Sequence, residues 1–304
     1  MEQDIRFCVA PDGVRIAYAT AGNGPSLVKA ANYITHLEHD WNGPVWRHWL
    51  NGLTQHHTLI RYDERGCGLS DRDVTEFTMG AWVRDLETVV DAADLDTFPL
   101  LGISQGASVS VAYAVKHPDR VTHLILYGGY VRGRINRDPD PEQVKEAETM
   151  IDAIRLGWGK ENPAFRQLFT TQLMPDATPE QVQWLNELVR ISAEPKTAAE
   201  MEHAFYQIDV SDLAPQVKIP TLVLHARHDS AIPFAEGRRL ATLIPDARFV
   251  ILDSRNHILL EHEPAWQRFL AEVHAFLGGL ESVARREAEC RTIFRGVAPQ
   301  GRQG

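Results

Sequence analysis

Cysteine is scarce in this chain: three occur in 304 residues, Cys8, Cys67 and Cys290. The number is odd, and no Cys-x-x-Cys pair or Cys/His cluster has metal-ligand spacing. Neither a disulfide framework nor a bound metal is therefore expected to organise the fold, and free thiols point to a reducing compartment. Long apolar runs are also missing. No segment approaches the ~18 consecutive apolar residues of a membrane-spanning helix. The opening MEQDIRFCVAPDGVRIAYA is acidic and lacks the apolar h-region of a secretory signal, so a cytoplasmic protein is expected. Positive charge is in deficit, with 31 Lys and Arg against 41 Asp and Glu, a formal net charge of −10. That balance argues against nucleic acid or an anionic membrane as partner, because phosphate binding needs clustered Lys and Arg. Only the end of the chain is locally basic (Arg285, Arg286, Arg291, Arg295, Arg302). Glu281, Glu287 and Glu289 partly offset it, as on a solvated helix face with a frayed end.

What is present is ordinary globular composition, 44% hydrophobic and 24% charged, enough for one large α/β domain or two smaller ones. No internal repeat or low-complexity stretch interrupts it. Residues 5–10 and 14–20 read as strands around a Pro11-Asp12-Gly13 turn. After Gly22-Asn23-Gly24-Pro25, a buried strand starts at Ser26, and another at 57–62 runs into ERGCGLSD. A helix at about 79–93 shows apolar residues at helical spacing. Strand 98–102, helix 105–117 and strand 121–127 then form a strand–helix–strand unit, which implies a parallel sheet with buried strands. From 131 to 210 strand signals stop, and short amphipathic helices punctuated by prolines take over. The sheet resumes at 221–226, followed by a helix at 234–243, a strand at 248–252 and a helix at 264–277. The expected organisation is a core of residues 1–130 and 211–280, a helical insertion over 131–210, and a tail from 281 to 304. An insertion leaving between parallel strands lies over the carboxyl edge of the sheet, where open α/β sheets bind ligands.

The strongest local feature is FPLLGISQGASVSVAYAVKHP. A buried strand meets Gly102-Ile103-Ser104-Gln105-Gly106 and a helix begins at once, the context required of a G-x-S-x-G nucleophile elbow. Serine at such a turn projects its hydroxyl above the sheet, and the helix N-terminus behind it favours developing negative charge. The Gln105 N–H lies where an oxyanion donor is needed. Read alone, the segment is also compatible with a serine at an ordinary helix N-cap. A serine hydroxyl needs a base, and Asn256-His257 follows the last strand just before the closing helix. HARHDSAIP supplies an acid, Asp229, after strand 221–226. The order Ser, Asp, His is that of this elbow chemistry. His225 lies within a strand, His228 precedes the final strand, His262 sits about one helical turn beyond His257, and His117 ends the elbow helix. Asp253 is too near His257 in sequence to orient it easily.

GISQG, RYDERGCGLSDR, PTLVLHARHDSAIP and DSRNHILLEHEP together resemble the α/β-hydrolase superfamily over residues 5–277. The resemblance implies a mostly parallel central sheet with helices on both faces, a helical cap, and no cofactor or metal. RYDERGCGLSD resembles the D-x-R-G-x-G-x-S segment after the fourth strand, in which Asp63 and Arg65 are expected to pin the loop. ANYITHLEHDW resembles the S-H-L-E segment of a subgroup linked to nucleotide cyclases or LuxR-type regulators. Most relatives have His-Gly after the third strand where this chain has Ala31-Asn32-Tyr33, so the second oxyanion donor falls to the Tyr33 N–H. His36 and Glu38 either line the site or form a buried pair.

The expected reaction is acyl transfer to water, with a small-molecule ester or lactone as partner and a homodimer compatible with the sequence. Trp158, Trp184, Phe165 and Phe169 are candidates for an apolar acyl pocket, and Trp158 and Trp184, with His36, are the candidate substrate contacts, although aromatic residues at helical spacing are usually core. A lactonase, a C–C hydrolase and a perhydrolase share the same three residues. A sensor that binds a small signal and moves its cap remains an alternative from another class.

Overall fold

The structure, a computed structural model, describes residues 2–278. Tail residues 281–304, including Cys290, lie outside them. Eight strands form one sheet in the order β1 (Gln3–Val9), β2 (Arg15–Ala21), β4 (Thr58–Tyr62), β3 (Ser26–Lys29), β5 (Phe98–Ile103), β6 (Val121–Tyr127), β7 (Thr221–Ala226), β8 (Arg248–Leu252). β1 and β2 pair antiparallel, as do β2 and β4, and every other pairing is parallel. The composition of the strands explains their places. β7 (TLVLHA) and most of β5 (FPLLGI) are buried on both faces, which demands a near-continuous apolar run. β1 (QDIRFCV) mixes charge with apolar residues and lies at the edge, where half its surface meets water.

Helices α3 (Met79–Ala92), α4 (Gln105–Lys116) and α9 (Phe234–Leu243) make the crossovers, and a helix over residues 264–278, α10, follows β8. Between β6 and β7 the chain forms α5 (Pro141–Gly157), α6 (Ala164–Leu173), α7 (Pro179–Ser192) and α8 (Pro195–Tyr206). Three of these begin with proline at the first turn, where no N–H is missed, and α5 and α7 carry full capping boxes from Asp140 and Thr178.

Two helices were not foreseen from the sequence: α1 (Leu37–Asn42) and α2 (Arg47–Thr54), between β3 and β4. They are six and eight residues long, split by Gly43-Pro44, too short for periodicity to reveal. α2 nonetheless carries Trp49 into the centre of the core. Its ring packs within 4.8 Å of both Trp266 and Phe269 and 5.4 Å from Tyr127, and its Nε1 donates to Leu259 O at 3.0 Å.

The loop after β4 is held by buried charge. Asp63 Oδ2 accepts from the N–H of Leu37 (3.1 Å) and of Leu69 (2.8 Å). Arg65, fully buried, grips Asp85 through two hydrogen bonds of 2.7 and 2.6 Å and reaches Asp12 at 2.9 Å. Burial pushes the Asp85 carboxyl up to about 6, even with the Arg65 hydrogen bonds and charge pulling it down. A buried carboxylate left without its cation is costly, so Arg65→Met is expected to destabilise the fold by about 3–5 kcal/mol in denaturant titrations. Adding Asp85→Leu should recover most of that loss, since the orphaned charge goes too. A loss below about 1 kcal/mol in the single variant would show that the pair carries little of the loop's stability.

Candidate active site

β5 ends directly on Ser104, and α4 begins at the next residue. Ser104 has φ +56° and ψ −127°, a backbone region that non-glycine residues seldom adopt. Its N–H donates to Tyr127 O at 3.0 Å. The turn is possible because its flanks lack side chains: a Cβ on Gly106 would stand 2.5 Å from Ala31 O, and one on Gly102 2.5 Å from Ser110 Oγ. As the first residue of α4, Gln105 has no intrahelical acceptor for its N–H.

Asp229 follows β7 and His257 follows β8, and the parallel register carries both to the edge where β5 ends in Ser104. His257 Nδ1 lies 2.7 Å from Asp229 Oδ2. The other carboxylate oxygen accepts from the N–H of Ala231 (2.9 Å) and of Ile232 (2.8 Å). Burial alone would raise the Asp229 carboxyl. The charge and hydrogen bond of His257, the nearby His225 and the Ile232 N–H outweigh it and hold the group below the ordinary carboxylate value. An ionised carboxylate only accepts, so the proton of the pair sits on Nδ1 and the Nε2 lone pair is left free. His257 Nε2 is buried and has no hydrogen-bond partner among the described residues.

The His257 loop is gripped from three sides. Tyr127 OH donates to His257 O at 2.8 Å from the sheet. The N–H groups of His257 and Ile258 both donate to Leu173 O (2.9 and 3.1 Å) at the end of α6. Trp49 Nε1 fixes Leu259 O from below, with His48 Nε2 2.9 Å from the same oxygen. Tyr127, Leu173 and Trp49 carry no motif, so a reading of local sequence had no signal by which to find them.

Ser104 and His257 line one cavity of about 110 Å³. Its apolar wall comes from Tyr33, Trp46, Phe169, Leu173, Phe205 and Ile258. Of the residues expected at a pocket, Phe169 is among the lining residues, whereas Phe165, Trp158, Trp184 and His36 are not. Trp158 is buried with its ring against Tyr33 (6.0 Å) and Phe169 (5.5 Å), behind the wall. Trp184 stacks on His39 at 4.7 Å and covers Gly43, because α7 turns that face toward α1. His36 is the N-cap of α1, its Nδ1 accepting from the His39 N–H at 3.4 Å, and Glu38 is exposed, so the two form no buried pair.

The Tyr33 N–H is at the cavity but is not free, as the sequence had suggested: it donates to Gln105 Oε1 at 2.9 Å. Gln105 Nε2 donates in turn to Glu64 Oε2 at 3.2 Å. Burial, with Asp85 nearby, pushes the Glu64 carboxyl well above its usual range.

A mostly parallel sheet, a strand–serine–helix turn and an Asp–His pair after the following strands are the hallmarks of one class. The chain belongs to the alpha/beta hydrolase fold family, whose profile matches residues 37–264. It is 25% identical over 271 residues to pyrrolizixenacetamide deacetylase of Xenorhabdus hominickii, covering 86% of this chain and 94% of that one. It is likewise 25% identical over 254 residues to the putative carbamate hydrolase RutD of Caulobacter sp. strain K31, covering 78% and 87%. Among solved structures, the esterase RhEst1 from Rhodococcus sp. ECU1013 superposes with a TM-score of 0.72 at 25% identity, over 90% of this chain and 98% of that one.

The packing around His257 generates a prediction. Gly128, at φ +57°, passes so close that a Cβ would stand 2.8 Å from His257 Cε1 and 3.1 Å from Nδ1. Gly128→Ala should displace the imidazole and lower kcat/KM for hydrolysis by about ten- to a hundredfold. It should also cost about 1–2 kcal/mol of backbone strain. Gly13, at φ +88° with nothing within 4 Å of its Cβ position, is the control. Gly13→Ala should cost stability without touching kcat/KM, and equal activity losses in the two variants would trace the effect to folding instead.

Proposed function

We propose that the protein is a serine hydrolase that cleaves small carboxylic esters through an acyl-enzyme on Ser104. The observation that carries this reading is the Asp229–His257 hydrogen bond, which leaves an unpartnered Nε2 in the same cavity as a serine on a strained elbow. His257 Nε2 takes the Ser104 proton as Oγ attacks the ester carbonyl, and Asp229 keeps the tautomer and stabilises the imidazolium. The oxyanion is met by the Gln105 N–H at the amino end of α4, where the helix dipole adds to the donor. The Tyr33 N–H becomes the second donor when Gln105 Oε1 gives it up to the stronger, charged acceptor. Collapse breaks the C–O bond, and the alcohol leaves with the proton from His257. Water, deprotonated by the same nitrogen, then releases the carboxylic acid and restores Ser104.

Serine rather than aspartate at the elbow disfavours chemistry that needs a carboxylate nucleophile. The relatives' names span amide, carbamate and ester cleavage, all acyl transfers within reach of the same three residues. The ester is preferred here because the cavity is small and has an apolar wall. At about 110 Å³ it is somewhat smaller than the apolar cavity of about 150 Å³ that accommodates a benzene. The four-helix segment supplies part of this wall through Phe169, Leu173 and Phe205, which makes it a cap over the site.

Ser104→Ala should abolish hydrolysis of p-nitrophenyl acetate while leaving the melting temperature close to wild type, since only one hydroxyl is lost. Among p-nitrophenyl esters kcat/KM should be highest for two- to four-carbon acyl groups and fall beyond them by about tenfold or more. Trp158→Ala should cost about 3–5 kcal/mol of stability as a core truncation, with no specific change in chain-length preference. Near-wild-type turnover by folded Ser104→Ala would overturn the assignment. A preference for acyl chains of eight or more carbons would overturn the size argument.

A further inference from the structure

The cavity beside Ser104 is not lined by apolar groups alone. Two arginines, Arg134 and Arg137, and a single carboxylate, that of Glu202, are among its lining residues. Arg134 is already committed: it pairs with Glu146 at 2.7 Å and lies over the Tyr206 ring. Glu202 sits half-buried on α8. Burial pushes its carboxyl up to about 7, with Tyr206 and Arg134 partly opposing the shift, so near neutral pH much of it is uncharged. Arg137 differs from both. Its Nε donates to Arg132 O at 2.7 Å, and its guanidinium stands 5.3 Å above the Tyr130 ring, which fixes the plane of the group. Among the described residues its terminal nitrogens have no hydrogen-bond acceptor and no carboxylate pairs with it. Glu236, the carboxylate whose charge acts most on Arg137, is spent on the N–H groups of Val131 and Arg132 and on the Arg132 side chain.

A half-buried guanidinium with four unused N–H donors is a planar fork awaiting a planar anion. In the cavity that Ser104 also lines, such a fork would select for substrate that brings that anion. We propose that Arg137 is a specificity-determining residue that binds a carboxylate carried by the substrate, so that the ester cleaved at Ser104 is a half-ester of a small dicarboxylic acid or an equivalent acid-bearing ester. This inference rests on the hydrolase reading above.

The test compares matched pairs by direct assay of product acid: monoethyl glutarate against ethyl pentanoate, and acetoxyacetate against propyl acetate, so that the charge lies on either side of the scissile bond. In the wild type, one anionic member should exceed its neutral partner in kcat/KM by about 10- to 100-fold. Arg137→Met should remove that preference while leaving the neutral ester within about twofold, and Arg137→Lys should restore part of it. Calorimetric binding of glutarate, which needs no turnover, should be present in the wild type and lost in Arg137→Met. Turnover of neutral esters with no anionic preference in the wild type would overturn the proposal and leave the hydrolase reading standing, whether or not the variants fold. A preference that survives Arg137→Met would do the same. Glutarate binding that depends on Arg137, with no ester of either kind cleaved, would support the subsite and overturn the hydrolase reading.

Discussion

The hydrogen bond between His257 Nδ1 and Asp229 Oδ2 joins two loops that follow different strands, and much of the molecule is arranged around its 2.7 Å length. A loop histidine has two free torsions and no intrinsic reason to face a carboxylate 28 residues away. The carboxylate is turned first, by two backbone N–H groups of the segment that follows it. The histidine backbone is then tied to the sheet through Tyr127, to the inserted helices through Leu173, and through Leu259 to α2. Gly128 is the consequence of that tightness, since no side chain fits between the β6 terminus and the imidazole. The inserted helices therefore do two things at once: they wall the cavity and they hold the residue proposed as its base.

A second constraint lies beneath the amino half of the sheet. Lys29, Asp40, Arg61, Asp63 and Glu64 are all buried there, and Lys29 Nζ is bonded to Asn32 Oδ1 next to Tyr33. Burial drives Asp40 and Glu64 up and Lys29 down, because each is worse solvated than in water. Such a network is an expensive way to hold a loop, since one carboxylate oxygen each of Asp40, Asp63 and Glu64 is buried without a hydrogen-bond partner among the described residues. The loop it holds is the one that presents the Tyr33 N–H to Gln105.

The placement of Ser104, Asp229 and His257 at one edge of the sheet was legible in the sequence because each sits in a short motif immediately after a strand, and strand order fixes where such residues emerge. The strands at 121–127, 221–226 and 248–252 and the helix at 234–243 were legible for the same reason, having clean periods and clear breakers. The cavity wall was legible only in part. Of the four aromatic residues expected at a pocket, Phe169 lines the cavity while Trp158, Trp184 and Phe165 do not, and only the rotation of each helix decides which aromatic meets the cavity and which meets core. The hydrogen bond between Gln105 and Tyr33 spans 72 positions, and Arg137 is one arginine among many until its lack of an ion-pair partner among the described residues is seen in three dimensions.

The central claim is that this geometry makes one serine, among all the chain's hydroxyls, an activated nucleophile. Treating the folded protein with a fluorophosphonate, digesting it and mapping the modified peptide tests that claim without any assumption about substrate. The account predicts a single adduct on Ser104, formed rapidly in the wild type and strongly slowed in His257→Ala. An adduct on another residue, or labelling of Ser104 at the same rate without His257, would contradict it.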